Sequence, residues 1–206
     1  MQCTEKLVKQ LLEMFKLQRP MKKIFVTLFL LILSCGVYAQ TEHMKFMGIP
    51  INGSISNFQQ KLEAKGVKLD KLISPQLPVG MRVYDGVFSG ERARIYVYFD
   101  EKTTTVYRAK AVIENITKGN AENKFEKFAS MLKEKYINGY AKDSEQDGYP
   151  SLCIGILEAN NEDFLGFVSM YMNNPRDVLD DSVFLHIDYE DEKNSQSHKN
   201  NNMDDL

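Results

Sequence analysis

The chain has 206 residues, 26 Lys and Arg against 28 Asp and Glu, three histidines and three cysteines, for a formal charge of −2. That balance shows no excess of the cations on which phosphate binding depends, and the acidic surplus left once residues 1–39 are set aside makes the chain a poor nucleic-acid binder. Three cysteines, at positions 3, 35 and 153, exclude a disulfide-rich scaffold, so stability must come from an apolar core.

Residues 1–20 place Leu7, Leu11, Met14 and Phe15 at helical spacing, but the signal that follows makes this stretch an upstream extension outside the fold. Met21–Gln40 reads as a secretory signal peptide over 21–39. Lys22 and Lys23 form the basic start, Ile24 to Leu33 is an apolar run broken by Thr27, and Val37-Tyr38-Ala39 puts small side chains before a cut between Ala39 and Gln40. A spanning helix needs roughly 20 apolar residues, and this run fades at Ser34-Cys35-Gly36, so no stable membrane insertion is expected after cleavage. Ile32-Leu33-Ser34-Cys35 offers a loose lipobox, and a lipoprotein attached at Cys35 is the minor alternative. Residues 1–39 hold six of the Lys and Arg and two of the Asp and Glu, leaving 20 against 26 and a charge of about −6. The expected location is the periplasm or the exterior.

From residue 40 onward, one α+β domain over 40–189 is expected, followed by a disordered acidic tail over 190–206 whose Asn-rich composition has too little apolar surface to order itself. Phe46 to Ser54 is an extended segment ended by Asn52-Gly53, and Ser56 with Gln59 fits a capping box for a helix with Ile55, Phe58 and Leu62 on one face and Gly66 past its end. The stretch KFMGIPINGSISNFQQKLEAKGVK, Lys45–Lys68, resembles the opening of small exported proteins of Bacteroidetes of unknown function. That resemblance implies an envelope setting and a shared fold, and no activity.

After Ser74-Pro75-Gln76-Leu77-Pro78 the pattern turns to period two. Arg82–Ser89 is a first strand; Ala93, Ile95, Val97 and Phe99 alternate with Arg94, Tyr96 and Tyr98 in a second; Tyr107, Ala109, Ala111 and Ile113 alternate with Val106, Arg108 and Lys110 in a third. A second helix is expected over 121–136, capped by Asn120, with Phe125, Phe128, Leu132 and Tyr136 on its stripe. Strands follow at 140–143, around Leu152–Ile156, at 164–172 and at 183–189. Helix-plus-antiparallel-meander thus occurs twice, as pseudo-repeats over about 46–115 and 120–189, with the helices on one sheet face. In element order alone the chain is similar to the β-lactamase inhibitor protein fold, which implies a sheet face offered to a protein partner.

Chemistry is sparse. His186 and Asp188 share a strand face, but two ligands make no metal site, and Cys153 has no identifiable basic neighbour. There is no phosphate-cradling glycine loop and no C-x-x-C, so neither cofactor nor metal is expected. The expected role is a non-enzymatic binding module. Its candidate residues are Arg94, Tyr96, Tyr98, Arg108 and Lys110, since Tyr and Arg anchor interfaces, and its partner is an envelope protein or glycan. The alternatives are an envelope-directed hydrolase and a structural component of an envelope assembly.

Overall fold

The computed structural model describes residues 42–158, 163–174 and 182–203. The upstream extension, the signal with its Ala39–Gln40 cut, and Cys35 lie outside the described residues. No helix among those described is long and apolar enough to cross a membrane.

A short hairpin opens the domain, with β1 (Lys45–Phe46) and β2 (Ile49–Pro50) joined by Met47-Gly48. Helix α1 (Ile55–Glu63) is capped by Ser54, whose hydroxyl accepts from Asn57 N at 3.4 Å, two residues earlier than the expected Ser56 box. The start moves back because Ile55, with Phe58 and Leu62, must already be helical to share the buried face. Each of those side chains contributes about 1.5–3 kcal/mol by leaving water. Gln59 is thereby free to accept from Arg82 Nη1 at 2.8 Å.

The strands β3 (Lys68–Leu69), β4 (Met81–Phe88), β5 (Glu91–Phe99) and β6 (Val106–Thr117) form one meander, with a 3-10 turn at Ser74–Gln76. Helix α2 (Lys118–Lys135) follows without a break, and then β7 (Tyr140–Gln146), β8 (Tyr149–Leu157), β9 (Phe164–Asn173) and β10 (Ser182–Asp191) form a second meander. Thr117, not Asn120, is the residue before α2, because β6 stays paired with Ser182 of β10 up to Thr117. The sheet order is β3-β4-β5-β6-β10-β9-β8-β7, antiparallel throughout, so the last strand of each meander meets the other at the centre. The fold is α+β. Inward residues such as Ile95, Ala109, Leu185, Ile187, Met170 and Ile154 join Phe58, Leu62, Phe125 and Phe128 of the helices in one core.

The expected disordered tail is corrected. β10 runs to Asp191, and Glu192–Met203 forms helix α3; residues 204–206 lie outside the described residues. Apolar burial does not order it, as the composition implies, but polar anchoring does. Asp191 accepts from Asn194 N at 3.0 Å and from Met44 N at 2.9 Å, and faces His43 Nδ1 at 3.0 Å. Asn194 Nδ2 donates to the carbonyls of Ile51 at 2.8 Å and Val106 at 3.2 Å. Lys102 Nζ donates to the Asn201 carbonyl at 2.7 Å.

Candidate binding surface on the open sheet face

Cross-strand register assembles the predicted residues. Tyr96 lies opposite Lys110, Tyr98 opposite Arg108, and Arg94 opposite Val112. Period-two alternation then puts all five on the face turned away from α1 and α2, since Ile95, Val97, Ala109 and Ala111 between them are buried in the core.

The side chains bind one another. Arg108 Nε donates to both oxygens of Asp188, at 2.9 and 3.0 Å, and its Nη2 also donates to Oδ2, while the guanidinium carbon sits 4.9 Å from the Tyr98 ring centroid. Lys110 Nζ lies 5.6 Å from the Tyr96 ring and 5.8 Å from the Tyr98 ring. Arg94 Nε is 3.6 Å from Glu114 Oε2 and 4.0 Å from Asp85 Oδ1. A continuous row therefore runs Glu114, Arg94, Tyr96, Lys110, Tyr98, Arg108, Asp188.

Electrostatics follow from that row. The Asp188 hydrogen bonds raise Arg108 above its ordinary value against the cost of its burial. Burial raises the Tyr98 phenol, opposed by the Arg108 charge, and raises Tyr96, opposed by a hydrogen bond with Arg94. Glu114 is likewise raised by burial against Arg94. Asp188 is 6% exposed and Arg108 34%, so the pair is worth more than a solvated surface bridge and less than a buried one.

Sequence alternation misses one member. The β5–β6 register slips between Tyr98 and Phe99, so β6 carries an extra residue: Tyr98 pairs Arg108, and Phe99 pairs Val106. A bulge of this kind turns two successive side chains to one side. Tyr107 joins Tyr98, ring centroids 6.4 Å apart, and Val106 goes into the core at 0% exposure, the reverse of the expected alternation. His198 of α3 then stacks on Tyr107.

No family model, curated protein or solved structure matches this chain.

His186 and Asp188 do share the outward face, but they have separate partners. His186 stacks on Tyr171, centroids 4.5 Å apart and planes within 7°, and Nε2 faces Asn173 Oδ1 at 2.7 Å. Burial, then the Lys110 charge, push its imidazole down to about 4, so it is neutral near pH 7 and Nε2 donates to Asn173. Its Nδ1 is buried without a hydrogen-bond partner among the described residues. Cys153 receives a hydrogen bond from Ser169 Oγ at 3.7 Å. Among the described residues no group of three His, Cys, Asp or Glu is placed to hold a metal.

Proposed function

We propose that the chain is an exported, non-enzymatic binding protein that docks an envelope protein on the face carrying Arg94, Tyr96, Tyr98, Arg108 and Lys110. Export rests on the basic, apolar and small-residue pattern of Met21–Gln40. Docking rests on one observation: Arg108, held by Asp188, sits over the Tyr98 ring, and Arg94, held by Glu114, is hydrogen-bonded to Tyr96. Ordering flexible side chains costs about 0.5–1.5 kcal/mol each on association, and a pre-arranged row avoids that cost. Tyr and Arg also dominate interface energetics, because they combine rigid area with polar tips.

The test is quantitative capture from an envelope extract by the wild-type chain and by the Tyr96→Ser, Tyr98→Ser double variant. The variant should lose its partner while its melting temperature moves by no more than about 5 °C, since both rings lie at the surface side of the sheet. Capture unchanged in the variant refutes the docking face. Capture competed away by isolated envelope glycan assigns the surface to a glycan instead of a protein.

A further inference from the structure

A groove of about 890 Å3 lies on the covered side of the sheet, where the β1–β2 hairpin, the residues after α1 and the second half of α2 stand apart. Ile187 and Tyr189 of β10 and Phe88 of β4 line it, with Phe128 and Leu132 of α2. That size suits a small molecule rather than a protein segment.

Two methionines stand at the rim. Met47 adopts φ +51 at the first position of the two-residue Met47-Gly48 turn, where the left-handed backbone favours Asn, Asp or Gly. Its side chain is half-buried, packs against the core and lines the groove. Met131 on α2 also lines it and remains 46% exposed. Unbranched thioethers adapt to a flexible apolar ligand.

Charge at the rim is two lysines, Lys65 and Lys135, against one carboxylate, Glu134. Lys135 Nζ sits 4.7 Å from the Tyr136 ring and 5.9 Å from the Tyr189 ring, so a cation is held at the groove wall itself. An apolar trough with a cation beside it complements an apolar chain ending in a single anion. We infer that the groove binds a long-chain aliphatic carboxylate, its chain along Met131, Met47 and the edge of Phe88, over a floor closed by Phe128 and Ile187, and its head toward Lys135 and Lys65. This site is independent of the tyrosine row on the opposite face.

Titration of the full-length chain with palmitate, below its micellar limit, tests the assignment, with hexadecanol and a cationic C16 amphiphile alongside. Palmitate should bind, and hexadecanol should bind about tenfold more weakly. Lys135→Glu should weaken palmitate about tenfold and strengthen the cationic amphiphile. Met131→Gln should weaken palmitate while melting within about 3 °C of wild type, because Met131 is 46% exposed and Gln is a comparable helix former; its loss of affinity then cannot come from unfolding. The assignment is overturned by an absence of palmitate binding, by equal affinity for the alcohol, or by affinities unchanged in both variants. A native mass showing a dimer that masks Met131 from labelling also overturns it, giving the groove to a second copy.

Discussion

His198 and Tyr107 stack with centroids 4.3 Å apart and planes within 13°, joining the C-terminal helix to the end of the tyrosine row. The contact depends on two departures from regular alternation: the bulge that turns Tyr107 outward, and a polar helix where composition favours disorder. His198 Nδ1 also faces Asp100 Oδ2 at 2.9 Å, and Asp100 is buried in the β5–β6 loop.

Removing that imidazole should undock α3. His198→Ala leaves Asp100 with one fewer partner, a loss of about 1–3 kcal/mol for a buried charged acceptor. Hydrogen exchange of amides 192–203 should accelerate toward the unprotected rate, while that of β10 stays slow.

Asp100 itself should give an acid limb. Burial works against its ionisation, but hydrogen bonds from His198, the Thr103 amide and hydroxyl, and Asn201 outweigh it and hold the carboxyl well below its ordinary 3.8. A carboxyl lowered on folding stabilises fully above its unfolded value and loses that contribution as pH falls toward its folded one. Urea unfolding at pH 7 and below pH 4 should show this decline, and Asp100→Asn should flatten it.

His186 gives a slope at higher pH. Burial and Lys110 push it down to about 4 from an ordinary 6.5, so the unfolded chain takes up a proton between these values that the folded chain refuses. Stability therefore falls as pH drops from 6.5 to 4, by on the order of 3 kcal/mol from this group. His186→Gln keeps a donor toward Asn173 and cannot protonate; its unfolding free energy should lack this slope.

Arg108→Met should leave the Asp188 carboxylate, 6% exposed, without its counter-ion. The expected cost is about 2–4 kcal/mol, below the fully buried limit because Arg108 is itself 34% exposed. Adding Asp188→Asn should recover much of the loss, and a double-mutant cycle in urea measures the coupling.

Gly166→Ala should be among the most damaging single changes. A Cβ there would meet the Glu190 carbonyl oxygen and Met44 Cγ, so backbone of β10 must move. The loss should exceed about 3 kcal/mol, read as a fall in midpoint with unchanged denaturant slope.

Most strands were legible, because alternation such as Ala93-Ile95-Val97 against Arg94-Tyr96-Tyr98 records which side of a sheet meets the core. The helix stripes at Phe58-Leu62 and Phe125-Phe128-Leu132 were legible for the same reason. Alternation and helical stripes together therefore specify the α+β class, the two meanders and the face on which Arg94, Tyr96, Tyr98, Arg108 and Lys110 lie. The pairing of β6 with β10 at the centre, the bulge that adds Tyr107, the hold of Asp188 on Arg108 and the return of α3 through His198 and Asn194 arise from long-range contacts. Period-two and period-3.6 patterns report burial against a core. They carry no record of hydrogen bonds between side chains separated by 80 residues, as in Arg108 and Asp188, or by 98, as in Asp100 and His198.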